Sequence, residues 1–329
     1  YQARGYRHLF WDSGTMLANL LATARALGAG PELVVGFVDD QVNALLGLDP
    51  SYEAALELVA LGPEGGAAAP SVGLAAIEHP LMPLSASEVD YPRLREIHQA
   101  SRLDSASAVA GWRAGVPPPP RRPRGSLTTL PEPRRTAGRA LGETIQHRGS
   151  TRQFSGEPIS AVELSTVLWS STRPGAADVP SGLVDPYLIV NAVDGVPPGA
   201  YRYWPDENTL ELSSAGDYRR QSAYLCLDQP LGGDAAAVLY FLAPLDTVLR
   251  AFGNRGYRLA NLEAGLIGGR AYLAAYAQRL GATGLTFYDD EVVRFFSPHA
   301  AGLDAIFVTA LGRAAPSVRA EVRTLLHAR

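Results

Sequence analysis

Two stretches of this chain are versions of one sequence, and this repeat limits the folds that the chain can adopt. Residues 5–30 align with residues 256–281 without a gap, at a constant offset of 251. One residue is then lost, and at an offset of 250 the match continues to "ALELVALG" (55–62) against "AIFVTALG" (305–312). A unit of about 57 residues has the size of part of a domain, not of a solenoid repeat. We therefore expect an internal duplication at the scale of domains.

Each copy predicts the same order of elements, which is helix, strand, short helix and strand. In the second copy, residues 262–280 are rich in Ala, Leu and Tyr and predict a long buried helix, and residues 304–311 predict a buried strand. Asp289–Asp290 follow a strand-like run and are N-cap candidates for the short helix. Asp39–Asp40 recur at the matching place in the first copy, which suits a structural role for both pairs.

The sequence upstream of the second copy supplies elements that the first copy lacks. Ser160 and Glu163 form a capping-box pattern at the start of a helix, and apolar runs bounded by turn residues predict strands. The predicted elements are a helix at 140–148, a helix from Ser160, a strand at 185–193, two strands within 200–212 and a strand within 231–245. The fold class is therefore α+β.

This arrangement predicts four regions. Residues 140–313 form one complete lobe, and residues 1–62 form only the second half of a sister lobe. Residues 63–139 are rich in Pro, Gly and Arg and predict a linker with one possible helix. Residues 314–329 form a C-terminal tail. The first half of the sister lobe either precedes Tyr1 or was lost.

Composition excludes several kinds of chemistry. All 29 Lys+Arg residues are arginine, which rules out a Walker A phosphate site and Schiff-base catalysis. The six histidines are not paired at metal-ligand spacing, so we expect no metal site. A net charge of -4 and the absence of a bilayer-length apolar run predict neither a nucleic-acid partner nor a membrane partner. The single cysteine, Cys226, fits a cytoplasmic location.

The stretch "HRGSTRQF" (147–154) carries the strongest chemical signal. Arg148, Ser150 and Arg152 stand at i, i+2 and i+4, so an extended backbone projects all three side chains to one side. Two guanidinium groups and a hydroxyl suit a phosphate dianion. Taken alone, the stretch is also compatible with a solvated surface.

Further motifs follow this stretch in a recognisable order: "PSG" (180–182), "YLIVN" (187–191), "RGYRLANLEAG" (255–265), "FYDDEVV" (287–293) and "ALGR" (310–313). In this order the chain resembles the flavin-dependent nitroreductase superfamily. Within it, the chain resembles most the SagB-type dehydrogenases, which use FMN to oxidise azoline rings in ribosomally made peptides. The resemblance covers residues 140–313, with a partial second copy over residues 5–62. It implies a nitroreductase-like fold, in which helices flank a central, mostly antiparallel sheet.

The resemblance also implies roles for individual residues, with FMN as the cofactor. One group would hold the phosphate and the polar edge of the flavin, a loop would complete the site from the partner lobe or subunit, and a turn would hydrogen-bond flavin N5 through its backbone. The residues that would hold the phosphate and the polar edge are Arg148, Ser150, Arg152 and Arg313. The loop is that of Ser181 and Gly182, and the turn is that of Thr286 and Phe287. The hydride would pass through the flavin, so the protein would position and polarise the reactants.

The sequence departs from the SagB-type pattern at several positions. These dehydrogenases usually carry a Lys-Tyr pair at the place of Ala251 and Phe252, and neither of these residues can transfer a proton. The family's "EAGHIAQN" reads "EAGLIGGR" here (263–270), and the "PSG" loop is about three residues shorter than usual. Phe287 places a bulky ring where a small residue is common. The sequence therefore assigns no catalytic residue.

We expect an intramolecular pseudo-dimer or a homodimer with at most one flavin site for each pair of lobes. The first hypothesis for its function is an FMN-dependent oxidoreductase, in particular a SagB-type dehydrogenase with a peptide or small-molecule substrate and heterocyclase-type partner proteins. A second is a non-catalytic nitroreductase-like scaffold or peptide-binding subunit of a peptide-modifying complex. A third is a general NAD(P)H nitroreductase.

Overall fold

The computed structural model describes residues 1–62, 75–80, 82, 85–119, 121–123, 125–136 and 138–316. The strands are β1 (Glu32–Val34), β2 (Leu58–Ala60), β3 (Leu127–Thr129), β4 (Ile159–Ser160), β5 (Asp185–Val190), β6 (Val193–Asp194), β7 (Gly199–Trp204), β8 (Thr209–Ala215), β9 (Ala237–Ala243), β10 (Gly281–Gly284) and β11 (Asp304–Gly312). A 3-10 helix, Gln2–Arg4, leads into the first α-helix. The α-helices are α1 (Gly5–Ala26), α2 (Asp39–Leu45), α3 (Pro92–Ala100), α4 (Ala106–Arg113), α5 (Leu141–His147), α6 (Ala161–Thr172), α7 (Arg219–Leu225), α8 (Pro230–Asp234), α9 (Leu245–Phe252), α10 (Arg255–Ala277) and α11 (Asp289–Phe296).

A seven-stranded sheet forms the centre of the molecule, in the order β10-β11-β9-β5-β7-β8-β3, and every neighbouring pair is antiparallel. The central strands β5 and β9 read as continuous apolar runs because both of their faces are covered. Helices α6 and α10 contribute buried side chains to the main core. The predicted α+β fold, with helices flanking a mostly antiparallel sheet, is confirmed.

Local signals in the sequence account for several of these elements. The side chain of Ser160 accepts a hydrogen bond from the backbone N–H of Glu163, and the carboxylate of Glu163 accepts one from the N–H of Ser160. This reciprocal pair is the predicted capping box at the start of α6. The turn at 205–208 joins β7 to β8 with Trp204 opposite Thr209, as predicted. No helix in the described part of the chain has both the length and the apolar character needed to cross a membrane.

The linker region, residues 63–139, contains regular elements where the structure describes it. One helix was predicted in this region, and the structure has two, α3 and α4. Strand β3 pairs with β8 and forms one edge of the main sheet. The stretch "GPEGGAAAP" (62–70) lies, apart from Gly62, outside the described residues, as does most of the tail at 314–329.

The two long helices of the repeat, α1 and α10, lie side by side and run parallel. Residues that contact each other across the two helices differ in number by 250 or 251, as equivalent residues of the repeat do. The ring of Tyr6 stacks on that of Tyr257, with centroids 6.5 Å apart, and Trp11 Nε1 donates to Asn261 Oδ1 at 2.9 Å. Further along, Gly14 lies against the backbone of Gly265. Equivalent residues therefore meet each other, as expected when two copies face one another across a twofold axis.

The short helices of the two copies correct one expectation. Helices α2 and α11 begin at Asp39 and Asp289, which are equivalent at offset 250. The N-cap residues, however, are Val38 and Tyr288, and neither helix has a side-chain cap hydrogen bond. The prediction that the aspartates serve as caps is wrong, because their carboxylates bind arginines of the other copy instead.

The aspartate–arginine contacts are reciprocal between the copies. Asp289 forms ion pairs with Arg4 and Arg7 of the first copy. Asp39 forms ion pairs with Arg255 and Arg258 of the second copy, at 2.7 and 3.0 Å, and is completely buried. Because Arg4 and Arg7 are the repeat equivalents of Arg255 and Arg258, each copy clamps the other through the same three residue positions.

Candidate functional site

The segment that carries Arg148, Ser150 and Arg152 leaves α5 and runs beside the edge strand β10, where Thr151 N–H donates to the carbonyl of Ala282. Ser150 and Arg152 are exposed and Arg148 is half-buried. The guanidinium of Arg148 lies 5.7 Å from the ring centroid of Tyr272 on α10. Among the described residues, no carboxylate forms an ion pair with Arg148 or Arg152, so both charges are available to an anion.

Thr286 and Phe287 lie just beyond the end of β10, the strand beside which the arginine segment runs. A hydrogen bond from Gly284 N–H to the hydroxyl of Tyr272 connects this strand end to the ring beneath Arg148. Gln229 Nε2 donates to the carbonyl and hydroxyl oxygens of Thr286 at 3.4 and 3.2 Å. Within the described chain, the amide N–H groups of Thr286 and Phe287 have no hydrogen-bond partner, and they can therefore donate to a ligand.

The side chain of Phe287 is turned away from solvent, with 1% of its surface exposed. The guanidinium groups of Arg4 and Arg7 lie 5.4 and 5.3 Å from its ring centroid, and the ring of Trp11 lies 6.0 Å away. The equivalent residue in the first copy, Phe37, has a guanidinium at 4.7 Å, that of Arg255. The bulky ring therefore serves the contact between the copies, which explains why it is not a small residue.

Arg313 lies beside the segment that carries Arg148 and Arg152, but its side chain binds other groups of the protein. Its backbone carbonyl accepts from Ser155 N–H. Its guanidinium donates to the carbonyl of Pro158 at 3.1 Å and lies 3.3 Å from the carboxylate of Glu163. A phosphate at this point would compete with that carboxylate for the guanidinium.

Ser181 and Gly182 lie on a different side of the molecule. The amide N–H groups of Gly182 and Leu183 donate to the carboxylate of Glu263 at 2.6 and 2.9 Å. Gly182 has φ +89°, which explains the need for glycine. Glu263 and Tyr272 are nine residues apart on α10, which corresponds to about two and a half turns and therefore to opposite helix faces. The chain thus does not bring the "PSG" loop together with Arg148.

Asp178, two residues before the "PSG" loop, binds the turn of the first copy. The carboxylate of Asp178 accepts from the amide N–H groups of Val35 and Gly36, at 2.9 and 3.0 Å, and from Arg113 Nε at 2.9 Å. Gly36 is the repeat equivalent of Thr286. One copy therefore has this turn sealed by a carboxylate from the chain itself. In the other copy the equivalent amide of Leu285 donates to the carbonyl of Val308, and within the described residues that of Thr286 has no partner. Asp178 was not predicted as a site residue, although the offset of 250 points to the turn that it seals.

Glu263 has the most strongly perturbed carboxylate near these loops. Burial raises its pKa to about 7, while the hydrogen bonds from Gly182 and Leu183 and the charge of Arg270 act in the opposite direction. Arg258, which lies on the same helix, binds Asp39 and not Glu263. At neutral pH this carboxyl can therefore hold or release a proton.

The positions of the usual Lys-Tyr pair belong to the apolar core. Phe252 is buried, and its carbonyl accepts from Trp112 Nε1 at 2.8 Å. Ala251 packs at the edge of the same cluster. In the described part of the chain, no group of three His, Cys, Asp or Glu side chains could hold a metal ion.

Comparison with known proteins defines the class of this fold and site. The nitroreductase family model matches residues 145–312, slightly more than half of the chain, and the chain therefore belongs to the nitroreductase family. A protein of Methanocaldococcus jannaschii, named as a nitroreductase, is 29% identical over 161 residues, which cover 46% of this chain and 81% of that protein.

Two solved structures named as nitroreductases are similar to this chain. The first, from Anabaena variabilis, has 28% sequence identity and a TM-score of 0.76 and covers 95% of this chain. This chain spans only 66% of the length of that protein. The second, from Ralstonia eutropha, has 26% identity and a TM-score of 0.48, with 62% of this chain and 99% of the other covered.

Nitroreductase-family proteins typically bind FMN, and the residues near β10 offer groups that suit this cofactor. Two guanidinium groups without carboxylate partners and two amides without acceptors lie along one strand edge, and both features suit an anionic, acceptor-rich cofactor. The ring of Phe287 is buried in the contact between the copies and does not fill this edge. Arg313 is the one predicted phosphate ligand whose side chain is already engaged. Arg148, Ser150, Arg152 and the amides of Thr286 and Phe287 fit FMN, whereas Ser181 and Gly182 lie elsewhere.

Proposed function

We propose that this chain carries the flavin-binding part of an FMN-dependent oxidoreductase. The observation that carries the proposal is a pair of guanidinium groups without carboxylate partners, Arg148 and Arg152, on the segment that runs along β10, together with unpartnered amides just beyond the end of that strand, at Thr286 and Phe287. FMN would supply hydride transfer when bound. Arg148, Ser150 and Arg152 would hold its phosphate and polar edge, and the two amides would donate hydrogen bonds to the ring. The chain's own contribution is therefore to bind, orient and polarise the flavin.

We further propose that residues 140–313 are a complete lobe and residues 1–62 half of a duplicated one. The parallel pairing of α1 with α10 and the reciprocal clamps of Asp39 and Asp289 support this duplication. Because Asp178 already seals the first copy's turn, the pair of lobes would hold at most one flavin. Ser181 and Gly182, expected to contribute to a flavin site from the partner lobe or subunit, lie at Glu263 instead, to which the Gly182 amide donates.

The finer proposal is a SagB-type dehydrogenase that oxidises azoline or related groups in a ribosomally made peptide, together with heterocyclase-type partner proteins. It rests on the order of the motifs between residues 148 and 313. A general NAD(P)H nitroreductase is the alternative chemistry on the same cofactor. The two differ in substrate, so turnover of an azoline-containing peptide and NADPH oxidation with a nitroarene would separate them.

A non-catalytic scaffold or peptide-binding subunit is the second candidate function, and the core position of Ala251 and Phe252 favours it. At these positions the chain offers no group that can move a proton. A purified protein that lacks flavin and still binds peptide would support this candidate over the enzyme.

The test of the first proposal is the FMN content of the double variant Arg148→Ala with Arg152→Ala. Each charge-assisted hydrogen bond contributes about 1.5–3 kcal/mol, so we expect FMN to bind at least about a hundredfold more weakly. The measurement is flavin absorbance after gel filtration, followed by a titration of the apoprotein with FMN. Arg220→Ala, which removes another exposed arginine, is the matched control. Unchanged FMN affinity in the double variant would show that Arg148 and Arg152 do not bind the FMN phosphate.

A further inference from the structure

A cavity of about 530 Å³ lies between the C-terminal halves of α1 and α10, helices α5 and α6, and the loop after α6. We call it the arginine cleft, because six arginines line it and no aspartate or glutamate does. These arginines are Arg25, Arg134, Arg135, Arg139, Arg173 and Arg270. Arg148, Ser150 and Arg152 do not line it, so the cleft is separate from the proposed flavin site.

The positive charges of the arginine cleft are almost entirely unneutralised. Within the described part of the chain, Arg139 alone among the six forms an ion pair, with Glu143 at 3.2 Å. Burial is the main cause that lowers the pKa of Arg270; the charge of Glu263 opposes this effect, and that of Arg25 adds to it. Five like charges that share one cavity repel each other, and a bound anion would relieve this repulsion.

Backbone carbonyls hold two of these arginines in place without neutralising them. Arg270 Nη1 donates to the carbonyl of Arg173 at 2.6 Å, and Arg173 Nη2 donates to the carbonyl of Pro205 at 2.5 Å. The guanidinium groups of Arg135 and Arg173 lie 4.2 and 5.0 Å from the ring centroid of Trp169. These three guanidinium groups are therefore oriented before any ligand arrives, which lowers the entropic cost of binding.

We propose that the arginine cleft binds a small organic anion, a phosphate or carboxylate attached to an apolar body. Guanidinium forks match the geometry of both anions. Leu21, Leu273 and Ala277 form an apolar wall beside the charges. The volume lies within the range of small-molecule sites, and a few polar groups within an apolar lining are typical of such sites.

The test is calorimetric titration of the whole protein with three probes of similar size, namely phenyl phosphate, benzoate and neutral benzyl alcohol. We expect saturable binding of at least one of the two anions and none of the alcohol. The stronger of the two anions identifies phosphate or carboxylate as the preferred group. Raising the salt concentration should weaken this binding, because the contact is between charges.

Variants then place the binding in the cleft. Arg25→Gln combined with Arg135→Gln removes two exposed guanidinium groups, so we expect the affinity for the anion to fall at least tenfold. Arg279→Gln is the control, because Arg279 is exposed, adjoins the lining residue Gln278 and does not line the cleft. This control should bind within about twofold of the original protein. Thermal unfolding and FMN content should be the same in all three proteins.

Three results would overturn the proposal. The first is no saturable binding of either anion, and the second is equal binding of the anion and the alcohol. The third is an affinity that the Arg25→Gln/Arg135→Gln variant retains. If hexaglutamate binds while both small anions fail, the cleft serves an acidic peptide instead, and the small-anion proposal is wrong.

Discussion

At the scale of single residues, Glu263 shows how a loop changes the chemistry of a carboxylate. The carboxylate lies under the loop that precedes β5 and accepts two amide hydrogen bonds from it. These bonds favour the charged form, but burial outweighs them and raises the pKa of Glu263 to about 7. The folded protein therefore binds this proton more tightly than the unfolded chain does.

This raised pKa predicts how stability changes with pH. Between the pKa of an ordinary glutamate and about 7, the folded state holds the Glu263 proton and the unfolded state does not. The free energy of unfolding therefore decreases as the pH rises through this window, by roughly 2–3 kcal/mol between about pH 5 and pH 8. Glu263→Gln should remove this decrease, which urea unfolding at several pH values would measure.

The comparison depends on slopes, because glutamine also changes the hydrogen bonds at every pH. Burial lowers the pKa of His98 to about 4, which makes stability rise with pH between about 4 and 6.5 in both proteins. Subtracting the two pH profiles cancels the effect of His98 and leaves that of Glu263. Parallel profiles would contradict the assignment.

At the scale of elements, the contact between α1 and α10 depends on glycine. A Cβ atom at Gly14 would lie 2.6 Å from the carbonyl oxygen of Leu262, and one at Gly265 would lie 2.7 Å from that of Trp11. The two helices can therefore be this close only because neither residue has a side chain. The two glycines are equivalent in the repeat, so each copy supplies one of the glycines at the contact.

Alanine at this contact should destabilise the protein in spite of its higher helix propensity. We expect Gly265→Ala to lower the free energy of unfolding by about 1–3 kcal/mol, because backbone atoms must move apart. The control is Gly111→Ala in α4, where no atom lies within 4 Å of the new Cβ. This variant should gain up to about 1 kcal/mol. Equal effects in urea denaturation would show that the helices do not approach as described.

At the scale of the whole molecule, the two copies differ in what covers their long helices. On α10, the face with Ala260, Ile267 and Ala271 is buried against the main sheet, with 0%, 6% and 1% of these residues exposed. The equivalent residues on α1 are Leu9, Met16 and Leu20, which are 47%, 66% and 44% exposed. The same helix is therefore an interior element in one copy and a surface element in the other.

This asymmetry predicts opposite outcomes for one substitution at equivalent positions. Ile267→Glu buries an unpaired charge beneath the sheet and should cost several kcal/mol, enough to prevent cooperative folding. Met16→Glu adds a charge to an exposed face and should change the free energy of unfolding by less than about 0.5 kcal/mol. Thermal unfolding followed by circular dichroism would measure both. A large loss from Met16→Glu would mean that another surface covers α1.

The sequence alone was sufficient for features that depend on neighbouring residues or on the repeat. The capping box of α6, the turn between β7 and β8, and the apolar runs of β5 and β9 are local patterns, and the sequence carries them in full. The α+β fold was also predictable, because the order of the motifs matched that of a known family. The equivalent starts of α2 and α11 followed from the offset between the copies.

Only the tertiary structure decided which partner each polar side chain finds. Asp39 was predicted as a helix cap, yet it binds Arg255, which lies 216 positions away in the chain. Asp178 seals a turn more than 140 residues before it, and the "PSG" loop reaches Glu263 and not Arg148. Hydrogen bonds and ion pairs act over a few ångströms, so a pattern of residue types cannot specify partners that only folding brings together.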